Sequence, residues 1–228
     1  PNLKFQYANL LKFVRLVAFF ITLLLPGLYV AITNFHQEII PTELLFAIVA
    51  SRESVPFPII VEILAMEISF ELIREASLRV PSPIGTTIGI IGALILGQAA
   101  VEASIVSPIL IIIVAITGIT SFAIPDFYLS FHLRIVRFLY IIAGFLAGFL
   151  GIGIVLFSHL VLLCSLKSFG VSYLAPFVPA TSKNNKAYFM PPFWNREKRP
   201  DFLNTKRPQK EARISMKWKY KIGGNNGN

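Results

Sequence analysis

Charge is scarce in this sequence. Only 14% of residues are Asp, Glu, Lys or Arg while 55% are hydrophobic, and the apolar residues come in runs instead of scattered core positions. That scarcity excludes an ordinary soluble domain and marks a membrane protein. Alternating ten-residue strand patterns are missing too, which excludes a closed barrel, so backbone groups in hydrocarbon must be satisfied within helices. Cysteine is reduced to Cys164. It can form no internal disulfide, and a lone small thiol in an apolar helix reads as packing. Enzyme signatures are equally lacking: there is no H-x-x-x-H or C-x-x-C metal spacing, no G-x-S-x-G elbow and no glycine loop with a lysine for phosphates. His36, His132 and His159 are isolated from one another. No catalytic residue, metal or other cofactor is expected.

What is present reads as an all-α integral membrane protein, a bundle of four to six transmembrane or membrane-embedded helices with a basic cytoplasmic tail. Four spans stand out, at about 13–33, 84–103, 105–124 and 138–165. Segment 59–79 is either an embedded element that does not fully cross or a further crossing, which would require 42–51 to cross as well. Pro26 with Gly27 is expected to kink the first span, because proline removes a backbone hydrogen bond and clashes with the preceding turn. Gly85, Gly89, Gly92 and Gly97, and then Gly144, Gly148 and Gly151, offer small faces that let helices approach closely.

The few charges are unevenly placed. From Lys183 onward there are twelve Lys and Arg against Glu197, Asp201 and Glu211, so the formal +9 of the whole chain belongs to the tail. The positive-inside rule makes that tail cytoplasmic. Lys4, Lys12 and Arg15 place the start of the first span on the same side, and both ends inside demand an even number of crossings. Two regions follow: a membrane helical domain, 1–180, and a basic, largely disordered tail, 181–228. The tail's cations alternate with Phe189, Phe193, Trp194, Phe202, Trp218 and Tyr220. Beside a membrane span, this pattern favours anionic lipid over nucleic acid. The chain opens on Pro1, and its first span is too long for a cleavable signal, so it reads as the carboxy-terminal part of a longer protein.

The segment "VEILAMEISFELIREASLR", 61–79, sets Glu62, Glu67, Glu71 and Glu75 with Arg74 and Arg79 into apolar helix. Each charge at a membrane helix centre costs roughly 2.5–3.5 kcal/mol, so these side chains must face protein or water. At about 100° per residue Glu67, Glu71, Arg74 and Glu75 form one polar arc, with Glu62 on the opposite side. Pairing within the helix, Glu71 with Arg74 and Glu75 with Arg79, leaves Glu67 and Glu62 to find a water-filled cavity or another subunit. Rings of carboxylates from several subunits build cation paths. An ion pathway and structural pairing, within or between chains, both remain open. Gln98 and Glu102 in "GQAAVEAS" share a helical face near a turn, where they either cap a hairpin or meet the carboxylate helix or a partner. His132, Arg134 and Arg137 in "FHLRIVRF" read as an interfacial helix with snorkelling cations beside aromatic anchors.

The run "MEISFELIREASLRVPSPIGTTIGIIGALILGQAAVEASIVSPILIIIVAITGITSFAIPDF", 66–127, closely resembles the membrane domain of the A subunits of spore germination receptors, the GerA type. "CSLKSFGVSYLAPFVP", 164–179, and "RPDFLNTK", 199–206, agree with it, although Ser172 replaces the proline usual between "FGV" and "YL". The resemblance implies a nutrient-responsive receptor in the spore inner membrane, with a soluble domain ahead of this region. It also implies assembly with a transporter-like B subunit and a lipoprotein C subunit, and oligomerisation of A subunits around a cation-conducting path. The residues onto which that role would fall are Glu62, Glu67, Glu71, Arg74, Glu75, Gln98 and Glu102. A sporulation companion or scaffold of the same family is the alternative. A secondary transporter is a further one, although the halves show no convincing repeat.

Overall fold

Long apolar runs become helices here, and the turn residues between them set where each helix ends. A computed structural model describes residues 5–78, 84–168 and 170–175. Arg79 and the basic tail lie outside the described residues. Six helices follow one another among those described: α1 (Phe5–Phe35), α2 (Thr42–Arg52), α3 (Ile59–Leu78), α4 (Ile84–Glu102), α5 (Pro108–Phe122) and α6 (Phe127–Ser165). Residues 6–35 and 128–165 are long and apolar enough to cross a membrane, and α5 is a shorter apolar helix. The eleven residues of α2 reach about 17 Å at 1.5 Å per residue, against a hydrocarbon core of roughly 30 Å. As a helix, α2 therefore does not cross. The last apolar element begins at Phe127 and not near 138, because Arg134 and Arg137 are accommodated inside the helix.

The turn between α4 and α5 is built by local chemistry. Ser104 takes a left-handed conformation, φ 53°. The Ser104 and Ile105 amides donate back to the Val101 and Ala100 carbonyls, each at 2.9 Å, which closes α4 in the manner of a Schellman cap. Ser107 is extended, and Pro108 opens α5 where its missing N–H is harmless.

The described residues of 14–157 form one unit and those of 1–13 with 158–228 another. In the second unit, β1 (Lys167–Ser168) pairs antiparallel with β2 (Val171–Ser172), Lys167 opposite Ser172, a small addition to the expected all-helical chain. Ser172 thus sits in a strand, and Gly170 turns the hairpin with φ 78°.

In the first unit one apolar cluster gathers Tyr29 and Val30 of α1, Ile63 and Met66 of α3, Leu110 and Val114 of α5, and Ile141 of α6. A second joins Leu23 and Ala31 to Leu133, Tyr140 and Ile152. α1 and α6 meet backbone to backbone. A Cβ on Gly27 would lie 2.7 Å from the Tyr140 carbonyl oxygen, and one on Gly144 2.6 Å from that of Gly27. α1 continues as one helix through Pro26, whereas α6 is broken at Ala147 and Gly148. Gly148 has φ 58°, and a Cβ there would meet the His36 ring at 2.9 Å, so only glycine suits this break.

Candidate functional site

Glu67, Glu71 and Arg74 on α3 recur at i, i+4 and i+7, and Ser130, Arg134 and Arg137 on α6 repeat the same spacing. Two such faces, one carrying the carboxylates and one the guanidiniums, register against each other. Arg137 stands at the centre, its side chain 2% exposed, with Nη2 2.6 Å from Glu67 Oε2 and 3.2 Å from Glu71 Oε1. Arg134 Nη1 donates to Glu71 Oε2 at 2.8 Å. Arg74 Nη1 lies 3.7 Å from Glu71 Oε1, the expected i, i+3 pair, and its Nη2 donates to the Gly118 carbonyl at 3.3 Å. Its guanidinium also sits 4.7 Å above the Phe122 ring.

Glu67 is 1% exposed. Its contact with Arg137 is close in distance but not aligned as a hydrogen bond, and neither carboxylate oxygen has a hydrogen-bond partner among the described residues. The Coulombic attraction is therefore what holds it, in a setting where stranding either ion is costly. Pairing within the α3 helix left Glu67 unmatched, and its partner within the chain is seventy positions away on α6. The reading of Arg134 and Arg137 as snorkelling cations is corrected. Both are buried and face carboxylates, because two guanidiniums on the helix side turned to α3 gain more from charge-assisted contacts than from reaching the interface.

Glu62, the outlier on the opposite face, is 1% exposed and anchors a separate junction. Oε1 accepts from Arg52 Nη2 at 3.0 Å, and Oε2 accepts the Ser107 backbone N–H at 3.1 Å. It thereby ties α3 to the end of α2 and the start of α5. Sequence reasoning did not single out Arg52 or Ser107. The signal for Arg52 was a basic residue in the last turn of a short helix ten positions before an unmatched glutamate. Ser107 acts through its amide, which no side-chain pattern reveals. Glu75, Gln98 and Glu102 stay exposed, outside both junctions, and Glu75 has an interaction of its own.

α3, α4, α5 and the start of α6 line an open-sided cavity of about 1080 Å³. Its walls are mostly apolar, with Phe70, Ile111, Ala115 and Ile119 among them. Arg74 and Arg134 border it, as do Gln98 and Glu102.

The family model of the Bacillus/Clostridium GerA spore germination protein matches residues 2–202. The chain belongs to the GerA family. It is 48% identical over 202 residues to spore germination protein KA of Bacillus subtilis (strain 168), covering 88% of this chain and 37% of that protein. It is 42% identical over 214 residues to the uncharacterized membrane protein YfkQ of the same organism, 92% of this chain and 41% of the relative. To spore germination protein GerLA of Bacillus cereus it is 42% identical over 200 residues, 87% of this chain and 40% of the relative. The chain thus spans about two fifths of the length of these relatives. No solved structure matches it. The GerA membership and the two long apolar helices together mark a membrane protein.

Proposed function

We propose that this chain is the membrane part of a germination receptor A subunit, and that copies of it assemble around a cation-conducting path in the spore inner membrane. Nutrient signals reach it through the transporter-like B and lipoprotein C subunits. The basic tail rests on anionic lipid. GerA membership carries the receptor role. The burial pattern then divides the acidic residues. Glu62, Glu67, Glu71 and Arg74 are engaged inside one subunit and serve as struts. Glu102, with Gln98, is exposed and open to a path or interface between copies. The cavity within the subunit is a poor cation route past its Arg74 and Arg134 end, even though Glu102 borders the other end.

Potassium release from nutrient-triggered spores, read beside receptor abundance by immunoblot, tests this. Glu102→Gln should slow release at normal abundance, and Glu102→Lys should nearly abolish it. Unchanged release in both variants rejects the pathway role.

A further inference from the structure

The cavity beneath α5 has a shape and polarity that cation conduction does not use. One face of α5 lines it from Pro108 to Phe122, with Ile111, Ala115 and Ile119 between. Fifteen helical residues extend about 22 Å, longer than one leaflet's half of the roughly 30 Å hydrocarbon core. A whole acyl chain therefore fits along that wall, and about 1080 Å³ is ample volume for it. The polarity is lopsided. At the α5 carboxy-terminal end stand Arg74 and Arg134, while Glu102 borders the opposite end beside Pro108. Arg134 is committed to Glu71 at 2.8 Å. Arg74 borders the cavity with a 3.3 Å bond to the Gly118 carbonyl, a 3.7 Å contact with Glu71 and the Phe122 ring 4.7 Å away, so among the described residues it has no carboxylate as close as the one Arg134 holds.

We infer that this cavity binds an anionic amphiphile, its acyl chain lying along α5 and its acidic head group held by Arg74 with Arg134. A carboxylate or phosphate completes the donor set of Arg74 through charge-assisted hydrogen bonds. Glu102 repels the same head group from the other end, so the orientation is fixed. A fatty acid and an anionic phospholipid share this chemistry.

The test uses the intact receptor solubilised from membranes and a palmitate analogue carrying a photoreactive diazirine in mid-chain. Crosslinks should fall on the α5 wall around Ile111, Ala115 and Ile119. Palmitate should displace the probe about tenfold better than hexadecanol, the worth of one charge-assisted hydrogen bond. Displacement by phosphatidylglycerol but not by phosphatidylcholine identifies a phospholipid as the occupant; displacement by palmitate alone identifies a free fatty acid. Arg74→Gln should erase the preference of acid over alcohol and Arg74→Lys should keep it. Ala115→Phe, which fills the cavity, should cut labelling about tenfold, by the same conversion of binding energy to affinity. Equal displacement by acid and alcohol in the unaltered receptor overturns the proposal, even if Ala115→Phe fails to assemble. Labelling that never reaches α5 overturns it too, as expected if a second copy of the chain fills the groove.

Discussion

α6 is joined to its neighbours in two opposite ways. Against α3 it presents Arg134 and Arg137 to Glu67 and Glu71, and the junction is made by charge. Against α1 it presents Gly144 to the backbone of Gly27, and the junction is made by the absence of side chains. In hydrocarbon both devices suit the solvent. Helix association there has no hydrophobic drive, so it depends on close van der Waals approach and on polar groups that must find partners. The difference lies in failure. A charged junction that loses one member strands another ion in low dielectric, whereas a glycine junction that gains a methyl group only forces two helices apart.

Removing the central cation should separate the two most sharply. Arg137→Met leaves Glu67 and part of Glu71 unmatched and should destabilise the subunit by about 3–5 kcal/mol, seen as loss of receptor abundance on immunoblots. Glu67→Leu combined with Arg137→Met should be milder than Arg137→Met alone, because an apolar pair strands nothing; if the double variant is worse, the pair is not the unit of stability. Next in size is Gly144→Val, whose Cβ meets the Gly27 carbonyl oxygen at 2.6 Å. Overpacking of this kind costs about 1–3 kcal/mol, and a lowered melting temperature of the solubilised receptor should report it. A melting temperature equal to that of the unaltered protein would show that the seam gives way freely. The smallest effect belongs to Thr22→Val, which removes the 3.0 Å hydrogen bond from α1 to Thr120 of α5. Interhelical bonds within membranes average about 0.6 kcal/mol. A loss as large as that of Arg137→Met would mean that isolated hydroxyls and buried ions are equivalent here, and would break the comparison.

Much of the helical layout was legible in advance, because an apolar run in hydrocarbon has few alternatives to a helix. The expected spans at 84–103 and 105–124 correspond to α4 and α5 within three residues at each end. Reading a charge by its own helix alone found the Glu71–Arg74 pair but failed for the partners on other helices. Glu67 looked unmatched since helical periodicity reports only partners three or four positions away, and Arg137 is seventy positions on. Arg134 and Arg137 looked interfacial for the same reason. The break in α6 was also hidden: Gly144, Gly148 and Gly151 are equally glycine in sequence, but only Gly148 carries φ 58° against the His36 ring.

By itself the sequence determined a helical membrane protein of the GerA type, with its charge excess confined to the tail and a carboxylate stripe that lipid cannot solvate. Those conclusions rest on composition and local spacing, and the transfer cost of a charge or a bare backbone group is the same wherever the helix packs. Only the tertiary structure decided which guanidiniums Glu62 and Glu67 meet, that Glu62 serves a different junction from Glu67, and that Glu75 and Glu102 stay exposed. Pairing depends on the rotation and register of two helices distant in sequence. Those are set by the summed packing of many side chains, and no short stretch of residues contains them.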